Sequence, residues 1–431
     1  MIVQEYTSLG VAVRDHLVVA PLDHAHPEQA ERVEVFAREV VAASRRDDDL
    51  PLLLYLQGGP GGKSPRPLRP SGWLARALKT HRVVLLDQRG TGRSSPVQAE
   101  QMSRFPSGAA AADHLRHFRA DSIVADAELL RRSDFDARPW ATLGQSFGGF
   151  ITLTYLSTAP EGLTACYVAG GLASVQPSAA EVYRRTYPRV EAKNARFRAT
   201  YPHTGEVVDH VADLLADRPV RLPDGDLLDV LRLQLVGIDF GMAPGAARLH
   251  WLFDEALVGD DRLSDTFLDA VTNLTSFRDN PLFMVMQESI YGVPGGGSTG
   301  WAADAERARQ PGFDPGARPL LLTGEMAYPW MFEEISGLRP FAAAADALAT
   351  RSDWGPLYDL DRLGANTVPV AAAVYHDDMY VDAGLSLETA RVVGNVDAWV
   401  TNEYEHDGLG EERVLERLME MVADYGGELK R

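Results

Sequence analysis

Apolar positions follow two rhythms along this chain. Residues 9–43 alternate apolar with polar around Val11-Ala-Val13 and Val33-Glu-Val-Phe36, with a Pro- and His-rich turn between them. That alternation predicts an antiparallel hairpin. From Pro51 the rhythm changes: Pro51-Leu-Leu-Leu-Tyr-Leu56 and Val83-Val-Leu-Leu86 are short continuous apolar runs, each followed by a glycine-rich turn. Such runs predict strands buried on both faces, as in a parallel sheet. Residues 116–132 fit a helix, Trp140-Ala-Thr-Leu143 a buried strand, Gly148 to Leu156 a helix that starts directly after a tight turn, and 165–169 the next strand. This β-α-β alternation predicts a doubly wound, mostly parallel α/β sheet with helices on both faces.

The alternation halts near Gly171. Residues 172–350 are helical and irregular, with Pro/Gly breaks at 222–225, 292–300 and 311–319, and the strand-like run Pro319-Leu-Leu-Leu-Thr323 is their one ambiguous segment. Sheet character returns in Val368-Pro-Val-Ala-Ala-Ala-Val-Tyr375 and Val396-Asp-Ala-Trp-Val400, before a final helix over 411–424. The chain therefore divides into a first core part at 1–171, a mainly helical cap inserted at 172–350, and a second core part at 351–431. No internal repeat or low-complexity tract interrupts this plan.

Composition changes the picture in two respects. The 431 residues carry 42 Lys+Arg against 61 Asp+Glu, a formal net charge of −19. That balance argues against a nucleic-acid partner, because phosphate backbones are held by clustered cations and there is no basic stripe. The acidic excess is spread evenly between the middle block and the rest, which reads as a solvated surface. The single cysteine, Cys166, sits in the apolar run Ala165-Cys-Tyr-Val-Ala169 without a basic neighbour, and so reads as a buried structural thiol. The amino terminus lacks a basic segment followed by a long apolar one, and no 18-residue apolar run occurs. A cytoplasmic protein that does not associate with membranes is the expectation.

Chemistry enters at Gly144-Gln145-Ser146-Phe147-Gly148, a G-x-S-x-G pattern between a predicted strand and a predicted helix. In that setting the glycines permit a strained turn and a close helix, and the Ser146 hydroxyl projects from the strand's carboxyl end. The alternative is an ordinary βα turn with a helix-capping serine. A serine nucleophile needs a base, itself oriented by a carboxylate, and on such a sheet the three follow in the order Ser, Asp, His. Strand 368–375 ends in His376-Asp377-Asp378-Met379, and strand 396–400 leads into Glu405-His406-Asp407. Ser146, Asp378 and His406 form the expected triad, with Asp377 and Asp382 as competing acids. His376 is a competing base that breaks the chain order. Acyl transfer also needs donors for the developing oxyanion. Gln57-Gly-Gly-Pro-Gly-Gly62 follows the first buried strand, so the N–H groups of Gly59 and Phe147 are the expected pair. A phosphate loop is the rival reading of this stretch, disfavoured because Lys63-Ser64 lacks the spacing of a Walker motif. No metal-ligand spacing is present, and no cofactor is expected.

Taken together, Gln57-Gly-Gly-Pro-Gly-Gly62, Asp87-Gln-Arg-Gly-Thr-Gly-Arg-Ser94, Gly144-Gln-Ser-Phe-Gly-Gly149, Asp378-Met379 and His406 resemble the proline iminopeptidases (prolyl aminopeptidases) of the α/β-hydrolase superfamily, in their larger bacterial type. The likeness covers the core on both sides of the cap. Gln57 departs from it, standing where many relatives have histidine. The resemblance implies a serine exopeptidase that releases N-terminal proline from peptides with a free amino terminus. It implies cap carboxylates for the substrate amine: Glu288 in Gln287-Glu-Ser-Ile-Tyr291 first, then Glu333 in Tyr328-Pro-Trp-Met-Phe-Glu333, with Glu325 nearby. Phe147, Trp330 and Phe332 would wall a pocket for a pyrrolidine ring. An esterase, a lactone hydrolase or an aminopeptidase of broader preference on the same fold is the alternative. An epoxide hydrolase or dehalogenase would put Asp at position 146. A non-catalytic binding protein would lack a triad member.

Overall fold

A computed structural model describes residues 1–424 of the chain. One nine-stranded sheet organises it: β1 (Ile2–Ser8), β2 (Val11–Pro21), β3 (Arg32–Ala42), β4 (Leu52–Leu56), β5 (Arg82–Leu86), β6 (Trp140–Gln145), β7 (Leu163–Ala169), β8 (Val370–Tyr375) and β9 (Val396–Thr401). In space they run β1-β2-β3-β5-β4-β6-β7-β8-β9. The first three pair antiparallel, as does β3 with β5, and every pairing from β5 through β9 is parallel. The expected hairpin is β2–β3. Strand β1, too exposed along its whole length for a hydrophobic signal, was not expected from the pattern.

The continuous apolar runs become buried strands because both faces of the sheet are covered. Leu52, Leu54 and Leu56 point into one apolar cluster with Val84, Cys166 and Ala372, and that cluster continues into the middle block through Tyr183 and Leu322. Leu53 and Tyr55 point to the other face with Leu143 and Ala373, against Val414, Leu418 and Val422 of the last helix. The helices that matter below are α1 (Ala120–Asp134), α2 (Phe147–Thr158), α3 (Ala179–Thr200), α4 (Ala302–Arg307) and α5 (Glu412–Asp424).

Two local expectations change. The helix expected over 116–132 is two pieces, a 3-10 turn at Arg116–Phe118 and then α1. Between them Arg119 is extended (φ −94°, ψ 177°), and its buried guanidinium donates to the Gly292 carbonyl, 173 residues away. Periodicity cannot register such a tie. The run Pro319–Thr323 joins no sheet. Its backbone is paired by side chains instead: Asn194 accepts from Leu322 N–H at 2.8 Å and donates to the Leu322 carbonyl at 2.9 Å, while Gln234 donates to the Leu321 carbonyl. Asn194 on α3 thus satisfies that backbone as a neighbouring strand would.

Among the described residues, all nine strands of the large sheet lie before residue 170 or after residue 369. The chain between holds helices and two short two-stranded ribbons, at residues 220–228 and 257–263. No helix among the described residues is long and apolar enough to cross a membrane. Strand order reverses at β4, whose neighbours are β5 and β6. At such a reversal, outside the strands' carboxyl ends, open parallel sheets have the crevice that takes a ligand.

Candidate active site

Two turns meet at that reversal, and both rely on glycines for their close approach. Ser146 follows β6 at φ 56°, ψ −124°, a region that side-chain-bearing residues rarely adopt. The turn closes tightly because its neighbours have no Cβ: at Gly148 a Cβ would stand 1.9 Å from the Leu56 carbonyl, and at Gly144 it would stand 2.4 Å from that of Gly148. The Ser146 N–H donates to the Ala169 carbonyl at 3.0 Å, which ties the elbow to β7. Ser146 precedes α2 but its hydroxyl makes no capping bond. The simple helix-cap reading therefore does not describe it.

On the opposite flank, after β4, Gly59 has φ +124° and Gly61 φ +72°. A Cβ on Gly58 would come 2.9 Å from the Ser146 Cβ, so this loop passes directly beside the elbow. Phe147 is the first residue of α2, and its N–H has no acceptor within the helix. The N–H groups of Gly59 and Phe147 thus belong to the two turns that meet at the crevice.

The acid and base come from the next strands. Asp378, in the turn after β8, accepts through Oδ1 from the N–H groups of Tyr380 (2.8 Å) and Val381 (3.1 Å). Its Oδ2 lies 2.7 Å from Nδ1 of His406, which follows β9. Both side chains are buried. With Nδ1 engaged, Nε2 is the ring nitrogen left for a proton from a nucleophile. Burial alone would pull the His406 pKa down. The charge and hydrogen bond of Asp378, with Glu325 and Asp407 beyond, reverse that and hold it above its usual value. The ring meets Tyr380 edge-on at 4.8 Å, and the His406 N–H donates to the Gly241 carbonyl.

The rival acids and base have other partners. Asp382 caps the helix at Ala383–Val392 and pairs with Arg189 of α3 at 2.6 Å. Asp377 pairs with His376 at 2.7 Å on the surface. Cys166 is fully enclosed, and burial pushes its thiol up to about 12. Asp87 and Arg89 knit the loop after β5: Asp87 accepts from Arg66 and from the Ser64 and Arg93 N–H groups, and Arg89 forks onto Asp126.

The middle block supplies three carboxylates in very different settings. Glu288 is buried, and its two oxygens accept from the N–H groups of Ala302 and Ala303 at 3.0 Å each, capping α4. Burial raises its pKa. Glu333 is exposed, and the fold turns it to solvent. Glu325 is half-buried. Burial pushes it up to about 7, with the His406 charge lowering it, Asp378 raising it and Gln287 in hydrogen-bonding reach. Phe147 packs at a tilt on Phe150, and Phe150 on Tyr291, at centroid separations of 5.6 and 6.0 Å. Phe332 packs on Trp301, and Trp330 is partly exposed beside Tyr328.

Gly170 was not singled out from the sequence. It has φ +57°, and a Cβ there would meet Tyr375 at 3.0 Å and His406 Nδ1 at 3.2 Å, so its lack of a side chain makes room for the imidazole. The signal was the glycine pair that ends a buried strand. Among the described residues no group of three or more His, Cys, Asp or Glu side chains is arranged to hold a metal ion.

Comparison with known proteins gives the same fold from an independent direction. The alpha/beta hydrolase fold family matches residues 51–215. A proline iminopeptidase of Aeromonas sobria is 45% identical over 422 residues, covering 97% of this chain and 98% of the relative. A proline iminopeptidase of Aspergillus aculeatus is 33% identical over 401 residues, covering 90% and 88%. A crystal structure of a Mycobacterium smegmatis proline iminopeptidase has 14% identity and a TM-score of 0.42, over 95% of this chain and 97% of that one.

Proposed function

The chain belongs to the proline iminopeptidase family of α/β-hydrolase-fold enzymes, and from that premise we propose a serine exopeptidase that releases proline from the amino terminus of peptides. Ser146 is the nucleophile, His406 the general base and Asp378 the acid that orients it. His406 Nε2 takes the Ser146 Oγ proton as Oγ attacks the prolyl carbonyl. The oxyanion is held by the Gly59 and Phe147 N–H groups. Collapse of this intermediate breaks the C–N bond, and the proton on His406 passes to the departing amine. Water, deprotonated by the same imidazole, then hydrolyses the prolyl ester and frees proline. Asp378 keeps Nδ1 protonated and offsets the imidazolium charge throughout.

The observation that carries this reading is the His406–Asp378 hydrogen bond, with both partners buried beside an elbow whose serine caps nothing. Restriction to the first residue is assigned to the middle block, residues 172–350, acting as a cap. A secondary ammonium enclosed there needs a carboxylate. Glu325 is the preferred partner, because its carboxylate is within electrostatic reach of His406 and is not used as a helix cap. Glu288 borders the same region and supports it through α4, and Glu333 is too exposed to desolvate an amine. The experiment is hydrolysis of a proline arylamide against its N-acetylated counterpart and a simple ester. Cleavage of the free-amine arylamide with loss on acetylation is expected. Ester hydrolysis without arylamide cleavage would refute the peptidase reading.

A further inference from the structure

Four arginines are buried among the described residues, and three of them face a carboxylate: Arg89 on Asp126 at 2.6 Å, Arg131 on Glu128 at 2.7 Å and Arg232 on Asp226 at 3.3 Å. Arg119 is the fourth. It is 3% exposed, has no carboxylate at ion-pair distance, and its Nε has no partner. One guanidinium nitrogen donates to the Gly292 carbonyl, and the group lies over the Trp354 ring at 4.6 Å. A buried cation without a counter-ion is costly. Burial accordingly pulls the Arg119 guanidinium below its usual range.

Arg119 borders a cavity of about 390 Å³, bounded by the β2–β3 turn, the start of α1 and the segment 353–356. None of Ser146, Asp378, His406 or the oxyanion loop lines it. Arg116 lines the same cavity, its side chain makes no hydrogen bond to the described residues, and its Nε is unpartnered. The fifteen-residue helix α1 begins here without a side-chain cap, and its first-turn residues Asp121 and Ser122 line the wall. Their N–H groups add the positive end of a helix dipole.

The opposing charges decide what kind of anion fits. Asp23, Asp121 and Asp353 also border the cavity. Asp353 is paired with Arg351 at 2.9 Å, and Asp23 accepts from the Ala25 N–H. Of the nearby imidazoles, His24 is paired with Asp126 and His26 with Glu28, and burial pulls the His117 pKa down. Asp121 Oδ1 has no hydrogen-bond partner, so with Asp353 paired the two guanidiniums stand against Asp23 and Asp121, a balance with no excess charge to hold a dianion. The indole of Trp354 and the ring of Pro356 offer an apolar wall.

We propose that this cavity is a second ligand site that takes a small monocarboxylate with an apolar body, the carboxylate held by Arg119, Arg116 and the open amides of α1. A guanidinium fork matches a carboxylate's two oxygens, and the cavity leaves room for a ring beside Trp354.

Calorimetric titration of the full chain with benzoate, benzamide and phenyl phosphate tests it. Saturable single-site binding of benzoate is expected, with benzamide, the neutral isostere, not binding and phenyl phosphate binding more weakly. Arg116→Gln and Arg119→Gln should each weaken benzoate about tenfold or more, the loss of one charge-assisted contact. The Arg116 side chain makes no hydrogen bond to the described residues, so Arg116→Gln keeps the test valid if Arg119→Gln does not fold. Arg278→Gln, on a different cavity, should change nothing. Absence of benzoate binding, equal binding of benzamide, tighter binding of phenyl phosphate, or undiminished binding by Arg116→Gln would each overturn the assignment.

Discussion

His406 Nδ1 and Asp378 Oδ2 lie 2.7 Å apart with both side chains shut from solvent, although each ends a different strand and 28 residues separate them. Two backbone N–H groups hold the far oxygen of Asp378, so the carboxylate cannot swing to another partner. The imidazole is thereby held with Nδ1 engaged, the tautomer that a general base acting through Nε2 would need.

Asp378→Asn should keep the fold and lower kcat about 10³–10⁴-fold, because an amide can present the wrong group to Nδ1. The pH profile carries the sign. Asp378 holds the His406 pKa above its usual value, so kcat/KM of the native enzyme should fall on acidification through a point above about 6.5. In Asp378→Asn the residual activity should have its acid limb at lower pH. A limb at the same pH in both proteins would separate His406 from that titration.

The strained Ser146 backbone makes Ser146→Gly informative. It should be inactive toward a proline arylamide and more stable than the native chain by about 1 kcal/mol, because glycine adopts φ 56° without penalty. Thermal melts of Ser146→Gly and Ser146→Ala, compared side by side, measure the difference.

Gly148→Ala should destabilise by more than about 3 kcal/mol, since its Cβ would be driven into the Leu56 carbonyl and neither β4 nor α2 can retreat without opening the sheet. Denaturant unfolding measures it. A small loss would mean that the elbow is looser than its geometry.

Glu325 and Glu288 should part company on substitution. Glu325→Gln is expected to raise KM for a free-amine substrate strongly. It should also stabilise the free enzyme at neutral pH by about 1–3 kcal/mol. The sign follows from its folded pKa of about 7, raised from 4.5: stability conferred by the neutral acid is lost as pH rises between those values, and the amide never ionises. Glu288→Gln should instead lower stability by about 1 kcal/mol through the weakened cap of α4, with a smaller effect on KM. KM and melting temperature across pH 5–8 distinguish the two.

The sheet and the elbow were legible in the sequence because their causes are local. A strand buried on both faces must be apolar throughout, as at Leu52–Leu56. A serine at positive φ before a helix must be hedged by glycines, as at Gly144 and Gly148. Chain order then pointed to Asp378 and His406, and the turns after β8 and β9 bring them together. Those same local signals did not reveal the break at Arg119 or the side-chain pairing of Pro319–Thr323. Both depend on partners remote in the chain, 173 residues from Arg119 and 87 to 128 from the 319–323 run.

What the tertiary structure alone decided is which carboxylate does what. Glu288, Glu325 and Glu333 are indistinguishable as residues, and each sits in a helical or irregular segment with aromatic neighbours. Folding turns one into the cap of α4, brings another within the field of His406 and leaves the third in solvent. Desolvation and charge act through space, over a few ångströms, whereas sequence patterns report only what adjacent residues need from each other. Local pattern was therefore enough for the scaffold and for the proposed nucleophile Ser146, while the surroundings that shift the Glu288, Glu325 and His406 protonation came from packing between segments far apart in the chain.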